Sequence, residues 1–274
     1  MPETIEFSVV VPVHDEAGNA SLLAREIASV LDGRSYEMIF VDDASRDSTR
    51  EELAALKAEL PALRIVGHRK NAGQSRAVRS GVLAARAPVV GTLDGDGQND
   101  PADLPRLLAR LTRHDAPAEL GMVAGKRTKR QDSWSKRTAS RIANNIRKAA
   151  LNDGADDSGS GIKVFKRDAF LRLPYFDHMH RFMAALMLRE GYAVEFLEVN
   201  HRQRSAGRSK YTNLGRLAAN MTDLWGVMWL RSRARLPGDS SGPGTALALV
   251  RRMSRCRPPT SLISPRIGPL SQPK

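Results

Sequence analysis

The chain has 274 residues, 41% apolar and 5% aromatic, with 43 lysines and arginines against 30 acids and a formal net charge of +13. That length suits an α/β domain with an appendage, and the charge points to anionic partners: nucleotide phosphates, nucleic acid or an anionic membrane surface. A single cysteine, Cys256, excludes an internal disulfide; acids before the first apolar run argue against a secretory signal, and the absence of an apolar run near ~18 residues argues against an integral membrane chain.

In chain order, short β-branched runs alternate with helical patterns, without an internal repeat. FSVVVPV (Phe7–Val13), YEMIFVD (Tyr36–Asp42), LRIVGH (63–68), PVVGTLD (88–94) and ELGMVAG (119–125) are near-continuous apolar runs, the pattern of strands buried on both faces of a parallel sheet. Helices are expected over 19–31 and 48–60, the second with Asp47 as N-cap and Glu51 and Glu52 in its first turns. This βαβα order predicts an open, doubly wound sheet that binds ligands at the carboxyl ends of its strands. The loops there read VHDEAGN, DDASRDST, RKNAGQS and DGDGQNDP, all polar and glycine-bearing.

From about Lys126 the chain turns basic, with Lys126, Arg127, Lys129, Arg130, Lys136 and Arg137, then passes through NDGADDSGSG. A strand over 161–165, a helix over 180–189 and a strand over 193–200 follow. Leu214, Leu217, Ala218, Met221, Leu224, Trp225, Met228 and Trp229 form the stripe of an amphipathic helix, with Arg231, Arg233 and Arg235 beyond it. Such a stripe suits either packing on the core or lying in an anionic membrane interface. The expected organisation is a catalytic domain over 1–211, this helix over 212–235, and a disordered basic tail over 236–274, rich in Pro, Gly, Ser and Arg.

Three acids, Asp94, Asp96 and Asp100, crowd the GTLDGDGQNDP segment. Asp94 and Asp96 flank Gly95, which permits a sharp turn, and their hard oxygens suit Mg²⁺ or Mn²⁺; Asp100 before Pro101 reads as a helix cap. Asp42 and Asp43 end the second strand, where an acid accepts from a ribose or a base edge, or simply caps a turn. No G-x-G-x-x-G follows the first strand, which counts against a nicotinamide enzyme. The spacing of His180 and His201 fits no zinc site, and both read as local structure.

Together, VVVPVHDEAGN, VDDASRDST, NAGQSRAVRSG, LDGDGQNDP, DDSGSGIKVFKR, HRF and HRQRSAGRSKY resemble the family 2 glycosyltransferases of the GT-A fold, over about residues 5–230. The group they are most similar to is the dolichyl-phosphate mannose synthase-like enzymes, which move a sugar from a nucleotide to a polyprenyl phosphate, dolichyl or undecaprenyl. The resemblance implies a Rossmann-like, mostly parallel α/β sheet flanked by helices. It implies that Pro12, His14 and Glu16 line the nucleotide pocket, that Asp43 contacts the base, and that Asp94 and Asp96 hold the metal and donor diphosphate, with Gln98 as a further metal or sugar contact. It also implies that Arg127 meets phosphate, that Arg204, Ser209 and Lys210 belong to a loop that closes the site, and that Asp157 is among the substrate-binding residues. The chain departs from the family pattern at His14 and Asp15, and at Ser160 and Ile162.

The expected activity is a metal-dependent, inverting hexosyltransfer from a GDP- or UDP-sugar to a polyprenyl phosphate, with Mg²⁺ or Mn²⁺ as cofactor. The expected place is peripheral, at the cytoplasmic face of a membrane, with an anionic lipid surface and a membrane protein as partners and no nucleic acid. A phosphate acceptor, with a second pKa of about 6, is already anionic at neutral pH and requires no strong base. Arg127, Arg204 and Lys210 would hold the two anions together. Three alternatives stand beside this one: a hydroxyl acceptor, with Asp157 as general base, a basic nucleic-acid-binding protein, which the low aromatic content disfavours, and an inactive relative serving as a binding module.

Overall fold

The computed structural model describes residues 5–127, 160–200 and 213–235, besides Leu151, Gly154 and Arg202, and of residues 213–220 the backbone only. In chain order the elements are β1 (Phe7–Val13), α1 (Asn19–Val30), β2 (Tyr36–Asp42), α2 (Thr49–Leu56), β3 (Leu63–Gly67), α3 (Gln74–Ala84) and β4 (Val89–Thr92). A 3₁₀ turn (Pro101–Asp103), α4 (Leu104–Thr112), β5 (Leu120–Arg127), β6 (Lys163–Lys166) and α5 (Arg167–Leu171) follow. After a second 3₁₀ turn (Met179–Arg181) come α6 (Met183–Arg189), β7 (Ala193–Val199) and α7 (Asn213–Ser232).

The described strands form one sheet in the order β3-β2-β1-β4-β6-β5-β7. All neighbours are parallel except β6, which runs antiparallel to both β4 and β5. Every residue of β1 is buried, as its near-continuous apolar run requires when helices cover both faces. One face packs Val10, Ile39, Val41 and Val90 against α3, α5 and α6; the other packs Val9, Val11, Met38 and Phe40 against α1, α2 and α4.

The chain winds from β1 outward to β3, then returns to place β4 on the other side of β1, so the point where the winding reverses lies between β1 and β4. These two strands pair only over Phe7–Val10 and Val89–Thr92. The ladder ends at Thr92, and the winding rule puts the ligand crevice at the carboxyl ends of these strands. The end of the ladder also explains how Pro12, with no N–H to donate, is tolerated in a central strand: at that level β1 bonds only to β2.

Several expectations are adjusted. The strand expected over 161–165 begins at Lys163, and the helix expected over 180–189 begins at Met183 after a 3₁₀ turn. Helix α2 ends at Leu56 rather than continuing to 60. The formal N-cap of α2 is Ser48, yet the capping oxygen still comes from Asp47, which accepts from the Thr49 N–H at 3.1 Å and from the Ala17 N–H at 3.1 Å. Asp100 caps as expected, accepting from the Ala102 N–H at 3.0 Å.

Helix α7 divides its residues between two environments. Leu224 and Val227 are buried in the core, while Met221, Trp225, Met228 and Trp229 are 51%, 76%, 40% and 54% exposed. Spaced i, i+4, i+7 and i+8, these four form one outward stripe. No described helix is long and apolar enough to cross a membrane. The tail expected over 236–274 and the basic residues Lys129, Arg130, Lys136 and Arg137 lie outside the described residues.

Candidate active site

The loops after β1, β2, β3 and β4 meet at the crevice, and their backbones are fastened to one another by side chains. The Glu16 N–H donates to Thr49 Oγ1 at 2.9 Å, the Asp15 N–H to Ser45 Oγ at 3.0 Å, and the Arg46 N–H to Asp15 Oδ1 at 2.8 Å. His14 Nδ1 lies 2.9 Å from the Asp43 carbonyl oxygen, which makes Nδ1 the protonated nitrogen. Asp43, only 3% exposed, has both oxygens engaged: Oδ1 by His68 Nδ1 at 2.7 Å and the Ala72 N–H at 2.9 Å, and Oδ2 by the Gly73 N–H at 2.8 Å. In this arrangement Asp43 orders the loop that leads into α3.

Asp94 and Asp96 follow β4 at the mouth of the crevice. Gln74, at the start of α3, donates from Nε2 to Asp94 Oδ1 at 2.7 Å, and the Asp94 N–H donates to Asn99 Oδ1 at 3.1 Å. Asp96 Oδ1 accepts from the Gln98 N–H at 3.1 Å. Gln98 contributes its backbone twice, since its carbonyl accepts from the Arg202 N–H at 2.9 Å. Arg202 also reaches Glu26 at 2.7 Å and Asp100 at 2.8 Å, which clips the acidic loop to α1.

The glycine between the acids is needed for a different reason from the one expected. Gly97, not Gly95, takes a left-handed φ, of 72°. A Cβ at Gly95 would stand 2.8 Å from the Pro12 carbonyl oxygen and 2.7 Å from Val13 Cγ1, so this position has no room for a side chain. Gly161 is tighter still: a Cβ there would lie 2.1 Å from Asp94 Oδ2 and 2.5 Å from Asn99 Oδ1. The backbone ahead of β6 therefore packs directly against the first acid.

Burial pushes the Asp94 carboxyl above the ordinary aspartate range; the charge of Asp96 adds to this, and Lys163, Gln74 and Arg127 offset it only in part. A divalent cation between Asp94 and Asp96 would offset both the burial and the mutual repulsion. Among the described residues no third His, Cys, Asp or Glu joins the two acids. Two carboxylates suit Mg²⁺ or Mn²⁺, which are usually held by one or two such groups together with substrate phosphates. The residues present thus fit a nucleotide-bound cation.

Of the residues singled out in the sequence, His14, Glu16, Asp43, Asp94, Asp96 and Gln98 fall on these adjoining loops, Pro12 lies near the carboxyl end of β1, and Arg127, the last residue of β5, bears on Asp94 electrostatically. Asp157, Arg204, Ser209 and Lys210 lie outside the described residues. Gln74, Gly161 and Lys163 contribute to the site without having been singled out. For Lys163 a signal was present, since it follows the glycine-rich DDSGSG loop and opens the next strand.

The fold and the acid pair after β4 are those of a glycosyltransferase of the GT-A type. The sequence model described as Glycosyl transferase family 2 matches residues 8–173, and the chain belongs to that family. It is 31% identical to dodecaprenyl-phosphate galacturonate synthase of Rhizobium johnstonii, over 88% of this chain and 71% of that protein. It is 32% identical to undecaprenyl-phosphate 4-deoxy-4-formamido-L-arabinose transferase of Edwardsiella ictaluri, over 81% and 68%. Glucosyl-3-phosphoglycerate synthase from Mycobacterium tuberculosis, in complex with Mg²⁺ and uridine diphosphate, shares the fold with a TM-score of 0.63 at 17% identity, over 85% of this chain and 81% of that one. The same enzyme with Mn²⁺, uridine diphosphate and phosphoglyceric acid superposes with a TM-score of 0.63 at 18% identity, over 85% and 80%.

Proposed function

We propose that this glycosyltransferase moves a sugar from a nucleotide diphosphate to the phosphate of a polyprenyl phosphate, with inversion, while lying peripherally on the cytoplasmic face of a membrane. The observation that carries the acceptor is the similarity, across four-fifths or more of the chain, to two transferases whose names specify polyprenyl phosphates. Asp94 and Asp96 would hold the divalent ion, Mg²⁺ or Mn²⁺, with Gln98 keeping Asp96 in place through its backbone N–H. When bound, that ion neutralises charge on the departing diphosphate. Pro12, His14, Glu16 and Asp43 would shape the nucleotide side, UDP or GDP.

Arg127 and Lys163, whose charges bear on Asp94, would hold the anions. By the sequence match, Arg204, Ser209 and Lys210 join them from the following loop, with Asp157 beside the sugar. Because the acceptor phosphate is already anionic, the site's work is to bring two anions together and exclude water rather than to remove a proton. The outward stripe of Met221, Trp225, Met228 and Trp229, followed by Arg231, Arg233 and Arg235, supports a bilayer as the surface the protein meets, through apolar insertion and attraction to anionic headgroups. A membrane-protein partner would dock beside it.

A panel of UDP- and GDP-sugars with Mn²⁺ and undecaprenyl phosphate tests the reading, with Asp96→Asn as control. Transfer by the wild type and its loss in the variant are expected. Full transfer by Asp96→Asn removes the metal assignment, and exclusive transfer to a hydroxyl acceptor removes the lipid phosphate.

A further inference from the structure

Ser75 lies in the first turn of α3 and is 1% exposed. Its Oγ is 2.8 Å from Nδ1 of His180, in the 3₁₀ turn that precedes α6, and the backbone N–H of His180 donates to the same oxygen at 3.3 Å. The hydroxyl proton has no other acceptor among the described residues. It therefore goes to Nδ1, which makes Nδ1 the unprotonated nitrogen and leaves the ring proton on Nε2. Burial first, then the charges of Lys163, Arg181 and His178, pushes the imidazole down to about 3, so the ring is neutral at any working pH.

The pair adjoins the donor side of the crevice. Gln74, the residue before Ser75, bonds Asp94, so two successive side chains of α3 hold Asp94 and His180. Lys163 bears electrostatically on both. Nε2 of His180 has no hydrogen-bond partner among the described residues. An imidazole in this state is a donor and not a base, because one nitrogen is occupied and the other already carries the proton.

We propose that His180 contacts substrate, donating from Nε2 to a phosphate oxygen of the acceptor or of the donor's diphosphate, and that Ser75 is the positioning residue that fixes its tautomer. The acceptor half of this assignment rests on the polyprenyl-phosphate reading above; the diphosphate half does not. A neutral donor suits a site crowded with anions and cations, because it binds an anionic oxygen without adding to the charge around Lys163 and Arg181.

The test uses the full chain with Mn²⁺, measuring KM and kcat for undecaprenyl phosphate and, separately, UDP affinity by calorimetry, for His180→Ala, His180→Gln and Ser75→Ala. His180→Ala should lose roughly 10- to 100-fold, the scale of a hydrogen bond to a charged oxygen, in either acceptor kcat/KM or UDP affinity. The affected arm identifies which phosphate is bound. His180→Gln keeps an N–H near the Nε2 position and should recover part of the loss, and Ser75→Ala should raise the same KM or Kd with kcat unchanged. A folded His180→Ala or His180→Gln with both arms at wild-type values overturns the proposal, as does a Ser75→Ala that lowers only the active fraction. If His180→Ala does not fold, His180→Gln and Ser75→Ala carry the test. A wild type that binds UDP with Mn²⁺ but transfers to no polyprenyl phosphate overturns the acceptor reading, and the UDP arm still decides on His180.

Discussion

Replacing Gly161 by alanine should disable transfer while leaving the fold in place. The new methyl would lie 2.1 Å from Asp94 Oδ2, 2.3 Å from Asp94 Cγ and 2.5 Å from Asn99 Oδ1, whereas ordinary contact begins near 3.4 Å, so the neighbours must retreat by about 1.3 Å. Asp94 cannot retreat freely, because Gln74 holds its carboxylate and Asn99 its backbone N–H. A misplacement of about 1 Å at a reacting centre costs about 100-fold, and crowding of this kind costs about 1–3 kcal/mol of stability. Steady-state transfer with Mn²⁺ should therefore fall about 100-fold or more, while calorimetric melting shows a native transition lowered by about 2–12 °C. Wild-type kcat in a folded Gly161→Ala would refute the placement of this backbone against Asp94.

Other outcomes follow from the same geometry. Gly226→Ala on α7 meets nothing within 4 Å and should stabilise the protein by about 0.5–1 kcal/mol in urea unfolding, with transfer unchanged. Trp225→Asp with Trp229→Asp should abolish sedimentation with vesicles containing phosphatidylglycerol while melting is retained, whereas Leu224→Asp, at a 7% exposed core position, should unfold the chain. Glu37→Gln should cost about 1.5–3 kcal/mol at pH 7. Burial pushes the Glu37 carboxyl up, but donors from Arg86, Ser8 and Arg64 outweigh it and hold it below the ordinary value of 4.5. Its stabilisation is thus complete above 4.5 and lost as pH falls through the lower folded value, so denaturant midpoints of wild type and variant should converge in acid.

The strands were legible because burial on both faces leaves near-continuous apolar runs, and β1 and β2 match their expected limits. The position of the acid pair was legible because the apolar run of β4 ends just before Asp94 and Asp96. The reversal of β6 was not, since antiparallel and parallel buried strands have the same residue pattern. Gly95 was read for turn freedom, although its requirement comes from Pro12 and Val13, more than eighty residues earlier. Ser75 and His180 are 105 residues apart, and a bond over that separation leaves no periodicity to read.

The two-sided character of α7 also provides a probe. Trp225 and Trp229, two of the chain's three tryptophans, stand on its outward stripe, with Arg233 stacked 5.9 Å from the Trp229 ring. The protein's own fluorescence therefore reports mainly on this helix, and transfer of the indoles from water to acyl chains would shift the emission to the blue. Titrating unlabelled protein with vesicles, with or without a brominated lipid as quencher, would follow attachment and its depth in the same cuvette as the catalytic assay.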